Sequence, residues 1–581
     1  MQLHQYDYLM AIGTIFAFLD AWNIGANDVA NSWATSVGSR SVTYLQAMGL
    51  ASIMEFCGAL GVGARVADTI RTKVVKVDEF KSNPSLLMLG MVCAVIASST
   101  YLTICTRIGL PVSTTHSIMG GVIGMGIAAL GKDGITWVPK AGGTDLINGG
   151  VIQVFLAWII APGLSGIFAA IIFLITKYGV MLRKNPVWKA FFMVPLYFGL
   201  TAGLLAMLLI WKGASTRINL TDAQIAGCIV GVAFGWALII ATFLMPWLYR
   251  VVIKEDWQLR WWHIPLGPLL LRRGEVPDPP EGAEDPIRDF YEGHLTKEEL
   301  DARRAREAGS VVGGEPKTEG KTASDGIISA NGSDTDREET EPPKRKGLIG
   351  PKPEGKLLSG AVIFWYFKWA FLRGVDVDVV NMQKRKDLLS GDVEELHAHA
   401  AHYNNRAEFM YSFLQVMTAA TASFTHGAND ISNAIGPYAT IFEIWNTGVL
   451  PQNGKSDVPT WILAFGGVAL VIGLWTYGYN IMKNLGNRIT LHSPSRGFSM
   501  ELGSAITIII ATRLKLPVST TQCITGATVG VGLCSGTWRT INWRMVSWIY
   551  MGWIFTLPIS GIISGCLMGF IINAPRWGLT N

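Results

Sequence analysis

Charged residues are scarce in this chain of 581 residues, since Asp, Glu, Lys and Arg make up 16% of it, against about 25% in an average soluble protein. Half of the residues are hydrophobic. The net formal charge of +5 is small for this length and gives no indication of a nucleic-acid partner. The shortage of charge argues against an ordinary soluble protein and favours a chain that lies mostly in a lipid bilayer.

Metal-site cysteine spacing, a signal peptide and a complete nucleotide-binding loop are also lacking. The seven cysteines lie in apolar segments without the spacing of a metal site or a secreted disulfide framework. The N-terminal MQLHQYDYLM has no basic stretch or small-residue cleavage site, so we expect the first apolar segment to remain as a membrane span. Gly-Lys-Thr at 320–322 is a fragment of a nucleotide-binding loop without its first glycine. We therefore expect neither an ATP-driven pump nor a cofactor.

Long apolar segments recur along both ends of the chain. About 20 helical residues cross a hydrocarbon core of about 30 Å. The pattern predicts an all-α polytopic membrane protein with about twelve membrane segments. They lie near residues 8–26, 46–64, 86–106, 112–130, 150–176, 191–211, 224–249, 407–426, 460–482, 499–513, 518–534 and 546–573.

Between the two sets of segments, the composition changes. Residues 272–358 are rich in Pro, Gly, Ser and charge, which predicts a largely disordered loop, with a short solvated helix near 295–308. The apolar stretch 361–372 is too short to span and is interrupted by Lys368. We interpret it as an interfacial or packing helix.

The distribution of Lys and Arg predicts the orientation. The loops 177–190 and 272–358 are rich in both residues, which places the central loop in the cytosol and both termini outside. The glycosylation sequon that begins at Asn219 then faces outside. Residues 65–85, with five basic residues, also fall outside and contradict the charge rule.

Two motifs occur twice, in the same order. GANDVAN at 25–31 matches GANDISN at 427–433, and LPVSTT at 110–115 matches LPVSTT at 516–521. The spacing is 85 residues from Asp28 to Ser113 and 89 from Asp430 to Ser519. The halves are therefore related, and they are inverted repeats if 361–372 does not span. We predict four parts: a first repeat (1–176), two linking helices (177–250), the loop with its interfacial helix (251–406) and a second repeat (407–581).

The Pro-Val-Ser-Thr-Thr stretches each interrupt an apolar run. Pro111 and Pro517 are suited to the first turn of a helix, so each interruption predicts a hairpin of two half-helices whose tip lies within the membrane. Free backbone N–H groups and hydroxyls at such a tip suit an anion. In a lone membrane helix the same residues are more often a cap or a kink, and the duplication favours the binding site.

Asp28 and Asp430 lie within apolar segments, where acidic residues are functional by default. A cap is the simpler role for Asn-Asp near a helix end. With the amide oxygens of Asn27 and Asn429, the carboxylates form a hard oxygen set that suits Na⁺, with protonation as an alternative. Two carboxylates repel an anion, so a cation bound beside it predicts coupled transport of both. Glu55 and Glu501 have no acidic counterpart in the other half, and a hydrogen bond to a neighbouring helix is as good an interpretation as a site.

GANDVAN and GANDISN, together with PVSTTH and PVSTTQ, resemble the paired signatures of the inorganic phosphate transporter (PiT) family, and the chain looks most like a fungal sodium-coupled member. The resemblance covers about 1–250 and 400–581 and implies phosphate import driven by Na⁺, or by H⁺ in other members. It also implies a homodimer. An uptake system with an outward glycosylation sequon is expected in the plasma membrane, with an internal membrane as the alternative. The phosphate contacts it implies are Ser113, Thr114, Thr115, Ser519, Thr520 and Thr521. The Na⁺ contacts it implies are Asn27, Asp28, Asn429 and Asp430. It assigns a role in transport or coupling to Asn31, Glu55, Asn433 and Glu501.

Two other classes of function remain at this stage. A membrane enzyme acting on a phosphoryl group would need a nucleophile with a base or a metal cluster, and neither motif pair shares a His or Cys. A receptor that binds phosphate without moving it is barely distinguished from a transporter by sequence.

Overall fold

The computed structural model describes residues 3–63, 74–138, 150–212, 220–280, 285, 287–312, 348–356, 358–376, 378–383, 389–451, 458–514, 516 and 518–574. Apart from an isolated bridge between Val75 and Ile135, regular structure in these residues is helical. The long helices are α1 (Asp7–Gly38), α2 (Tyr44–Val62), α3 (Pro84–Ile108), α4 (Thr114–Leu130), α5 (Gly150–Thr176), α6 (Pro186–Lys212), α7 (Asp222–Ile239), α8 (Lys297–Val312), α9 (Gly360–Asp376), α10 (Asn405–Thr447), α11 (Thr460–Leu485), α12 (Pro494–Arg513), α13 (Thr520–Ser535) and α14 (Trp543–Asn573).

Eight of these helices are long and apolar enough to cross a membrane, namely α1, α2, α3, α5, α6, α7, α11 and α14. The helix α4 is apolar but has only 17 residues, and α13 has 16. The helices α10 and α12 carry more polar residues, and they complete the twelve segments. The all-α polytopic fold is confirmed.

The helices of the two halves pack in reciprocal pairs. The helix α1 packs against α11, and its counterpart α10 packs against α2. In the same way α4 packs against α14, and α13 packs against α5. Each half therefore completes its core with helices of the other half.

The counterpart helices α1 and α10 contact each other in opposite directions. Contacts near the start of α1 are with the end of α10, and contacts near its end are with the start of α10. The pairs in chain order are Asp7 with Trp445, Thr14 with Tyr438, Ser32 with His426 and Ser39 with Gln415. This antiparallel crossing agrees with the inverted arrangement, which stays a prediction.

The glycine of each Gly-Ala-Asn-Asp motif lies against the backbone of a helix from the other half. A Cβ at Gly25 would lie 2.0 Å from the carbonyl oxygen of Leu470, and a Cβ at Gly427 would lie 2.0 Å from that of Glu55. Only glycine permits this approach. The repeated glycine thus brings the repeated aspartate close to the partner repeat.

The region between the halves is attached to the membrane helices at several points. Arg373 of α9 donates to the carbonyl of Thr476 in α11, while Phe364 and Phe367 are exposed. The interfacial or packing role of 361–372 stays a prediction. On the loop's flank, the Tyr291 hydroxyl donates to Glu408 at 2.9 Å. The helix predicted near 295–308 corresponds to α8. Residues 313–347 of the loop predicted to be disordered lie outside the described residues.

Candidate functional site

The first helix break lies between α3 and α4. Gly109 ends α3 in the left-handed conformation, with φ of 77°, which favours glycine. Ser113 then caps α4 by accepting from the N–H of His116 at 3.2 Å. The first helical residue is Thr114, so Pro111 lies in the non-helical stretch before the helix. The expectation that this proline occupies the first turn is wrong, because the serine hydroxyl provides the cap.

The backbone groups freed by this break are bonded by buried asparagines. Asn27 donates to the carbonyl of Leu110 and accepts from the N–H of Val112, both at 3.2 Å. From α11, Asn480 donates to the carbonyl of Thr106 at 2.6 Å and Asn484 to that of Gly109 at 2.5 Å. Unbonded polar backbone is costly at membrane depth. These asparagines therefore make the break possible.

The second break lies between α12 and α13 and repeats the cap. Ser519 accepts from the N–H of Gln522 at 3.5 Å, and α13 begins at Thr520. Pro517, for which the same helix-starting role is predicted, lies outside the described residues.

Each aspartate accepts a hydrogen bond from the first threonine of the tip in its own repeat. Thr114 donates to Asp28 at 3.0 Å, and Thr520 donates to Asp430 at 3.0 Å. All four side chains are buried. In both halves, therefore, the two motifs that recur together in the sequence also contact each other in the structure.

Each of the two helices that carry a central aspartate has one asparagine that reaches the tip of the opposite repeat. Asn31 of α1 donates to Thr521 at 2.8 Å and lies within 3.4 Å of Thr520. Asn433 of α10 donates to Thr114 and to Thr115, both at 3.1 Å. The two tips therefore meet in one buried site, in which the contacts of one repeat are repeated by the other.

The site has a negative charge balance. Asp28 is repelled by Asp430 and by Glu55, and its own hydrogen-bond partners, Thr114 and Asn31, are neutral. Neighbouring buried carboxylates are unfavourable unless a cation or proton neutralises them. The arrangement thus suits a cation, and it suits an anion only beside one.

Other predicted residues lie at the edge of this site. Ser113 and Ser519 cap the half-helices, and the oxygen of Asn27 is bonded to the tip backbone. Asn429 donates to Asp430 at 3.0 Å. Asn27 is thus a support for the first tip in this arrangement.

The two glutamates lie in different surroundings. Glu55 accepts from Ser423 of α10 at 3.2 Å. Glu501 lies in a separate buried pocket, where Ser36 donates to it at 2.9 Å. Thr35, Gln415 and Thr418 also contact it.

Sequence reasoning missed the partners of Glu501, together with Asn480 and Asn484. The two asparagines lie four residues apart in an apolar segment, hence on one helix face. From that spacing, the sequence could have predicted that the two asparagines bind a common partner.

Comparison with known proteins identifies the family. Residues 24–564 match the phosphate transporter family (PHO4). The phosphate-repressible phosphate permease pho-4 of Neurospora crassa is 68% identical over the full length of both chains. The chain belongs to the phosphate transporter family. It is a membrane phosphate transporter and not an enzyme.

More distant relatives cover nearly the same length. The sodium-dependent phosphate transporter 1 of Homo sapiens is 28% identical over 97% of this chain and 96% of its own, and that of Mus musculus is 27% identical over 97% and 95%. A solved structure entitled the sodium-dependent phosphate transporter has the same fold, with a TM-score of 0.62 and 23% identity, covering 98% of this transporter and 100% of that chain.

Proposed function

We propose that this transporter is a symporter that imports inorganic phosphate together with Na⁺. The observation that supports this most directly is the meeting of four tip threonines with two buried aspartates in one site. The hydroxyls are neutral donors suited to an anion, and the carboxylates are ligands suited to a hard cation. The sodium-dependent relatives support the choice of Na⁺.

The hydrogen bonds of the site suggest how the cation and the anion depend on each other. Thr114 and Thr520 donate their protons to Asp28 and Asp430. A threonine hydroxyl has one proton to donate, so it cannot donate to phosphate at the same time. Na⁺ bound to the carboxylates would replace these donors and free them for phosphate. Na⁺ would also cancel the repulsion between the aspartates and the anion.

The roles of the residues follow from this scheme. Asp28 and Asp430 bind Na⁺, with Asn429 beside them, and Thr114, Thr115, Thr520 and Thr521 bind phosphate. Asn31 and Asn433 hold the two tips against the opposite repeat. Ser113 and Ser519 place the helix N-termini at the phosphate, which their dipoles favour. Glu55 adds negative charge beside the aspartates, and Glu501 acts from its own pocket.

The arrangement in the membrane is part of the proposal. Two inverted repeats at 1–176 and 407–581, joined by linking helices and a cytosolic loop, place both termini outside the plasma membrane. The antiparallel crossing of α1 and α10 supports this arrangement. Asn219 of the sequon lies outside the described residues. A homodimer stays a prediction of the family resemblance.

Uptake by the purified full-length chain in proteoliposomes tests the proposal. Labelled phosphate is offered with an inward Na⁺ gradient, an equal K⁺ gradient or an inward proton gradient. We expect accumulation above equilibrium with the Na⁺ gradient alone. Accumulation driven by protons and indifferent to Na⁺ would establish the proton-coupled alternative. Equilibration without accumulation under every gradient would contradict symport.

A further inference from the structure

A further buried acid lies on α1, before the Gly-Ala-Asn-Asp motif. Asp20 of α1 is eight residues before Asp28 and its side chain is 0% exposed. Within the described part of the chain, neither of its carboxylate oxygens has a hydrogen-bond partner. A buried carboxylate without a partner is strongly unfavourable, so this position requires an explanation that packing does not provide.

Two further oxygens near Asp20 are also buried and, among the described residues, without partners. Asn23, on the same helix face, donates its amide protons to Ser99 and Thr103 of α3, which leaves its Oδ1 without a partner. The Ser98 hydroxyl of α3 lies beside Asp20 and is placed to donate to it, while no group among the described residues donates to the Ser98 oxygen. A carboxylate, an amide oxygen and a hydroxyl oxygen therefore lie along one stretch of the contact between α1 and α3.

These three groups are the oxygen ligands that hard cations take in proteins. The Ser98 hydroxyl has one proton that it can donate to Asp20, and a proton on Asp20 could in turn bond the Asn23 oxygen, so protonation is the alternative to a cation here. A cation would accept lone pairs from all three groups while Asp20 stays ionised. We infer that Asp20, Asn23 and Ser98 bind a sodium ion. This inference deepens the proposed sodium coupling and rests on it.

This sodium site is separate from the one at Asp28. A helix rises about 1.5 Å per residue, so eight residues place Asp20 roughly 12 Å along α1 from Asp28.

The site belongs to the first repeat alone. Ala422 stands eight residues before Asp430, where Asp20 stands before Asp28. Duplication therefore explains the central site but not this one, and the first repeat binds a cation that the second does not.

The position of the site suggests what its sodium does. Asp20, Asn23 and Asn27 follow one face of α1 toward the first tip, and Asn27 bonds the backbone of that tip. The helix α3, which carries Ser98, leads directly into the same tip. A sodium ion between α1 and α3 would therefore fasten the two elements that position Thr114 and Thr115.

Sodium binding without phosphate tests the site. Equilibrium binding of radioactive Na⁺ is measured on the purified full-length transporter and on Asp20→Asn, which keeps the shape and removes the charge. We expect Asp20→Asn to bind one sodium ion fewer per chain than the wild type. Asp28→Asn should lose a different ion, so the double variant should lose both.

Two serines give a matched pair of control variants. Ser98 stands 15 residues before Ser113, and Ser504 stands 15 residues before Ser519. Ser98→Ala should weaken sodium affinity about fivefold, as for one neutral polar contact, while Ser504→Ala should leave it within about twofold. If Asp20→Asn does not fold, the comparison of these two serine variants still tests the sodium site.

Thermal stability gives an independent measurement. Without Na⁺, Asp20→Asn should melt at or above the wild-type temperature, because it removes an unpaired buried charge. With Na⁺, the wild type should gain more stability than the variant.

The outcomes separate this site from the proposed function. Equal sodium binding by the wild type and Asp20→Asn, with sodium-driven uptake intact, overturns the site and leaves the symporter standing. A wild type that binds no sodium and shows no sodium-driven uptake overturns both.

Discussion

The two repeats share the hydrogen bonds among their central aspartates, tip threonines and asparagines, and they differ in the residues around these contacts. The pairs Asp28–Thr114 and Asp430–Thr520 have the same length and chemistry, and Asn31 and Asn433 cross to the opposite tips in the same way. Asp20 faces no acidic counterpart, and the pockets of Glu55 and Glu501 have different partners. Under the proposed function, the shared contacts would form the substrate site, while the acids found in one repeat only would give that repeat a separate role.

The strongest test of this equivalence is to neutralise each central aspartate. Asp28→Asn and Asp430→Asn should each lower uptake at limiting Na⁺ by roughly 30-fold or more, since removing one buried charged partner costs about 2–5 kcal/mol. Phosphate affinity at saturating Na⁺ should change less. Sodium titrations of phosphate uptake measure both quantities. An unchanged sodium dependence in either variant would break the equivalence.

The tip threonines should give the next largest effect. Thr114→Val and Thr520→Val remove a hydroxyl and keep the shape, so each should weaken phosphate affinity by about 10–150-fold, the worth of one hydrogen bond to a charged group. Phosphate titration at saturating Na⁺ measures this. Affinities within twofold of the wild type in both variants would remove the tips from the phosphate site.

The contribution of Asn480 to the first tip can be tested by measuring stability. Asn480→Leu should lower the free energy of unfolding by about 1–3 kcal/mol, because it removes the hydrogen bonds that Asn480 donates to the carbonyls of Thr106 and Arg107 at the end of α3. Asn573, which donates to a carbonyl on an exposed helix end, provides the control Asn573→Leu, with a change within about 0.5 kcal/mol. Thermal denaturation in detergent compares them. Equal stability losses would contradict a special role for Asn480.

The smallest effect should come from the capping serines. Ser113→Ala and Ser519→Ala should each cost about 1 kcal/mol of stability through the lost cap. Phosphate affinity should fall less than in the threonine variants, because the proposed role of each serine is to cap its helix and not to contact phosphate. Denaturation and uptake on the same preparations measure both. A phosphate effect as large as that of Thr114→Val would make the serines direct ligands.

The sequence predicted the residues that occur twice, because duplication marks them. It did not predict the partners of Glu501 or the role of the asparagines of α11, since those contacts depend on how the helices are rotated against one another in the fold. The contact of Asn31 with Thr521 joins residues 490 positions apart, which only the reciprocal packing brings together. Asp20, like Glu55, is an acidic residue in an apolar segment, so the sequence alone could have identified it as a candidate.

The attachment of the first tip has a consequence for movement. Its backbone is bonded to Asn27 of α1 and to Asn480 and Asn484 of α11, and α1 and α11 are themselves packed together. The tip cannot swing alone without breaking these bonds. We therefore expect α1, α11 and the first tip to travel as one rigid body, so that opening to either side of the membrane requires sliding between bodies rather than the bending of a hairpin.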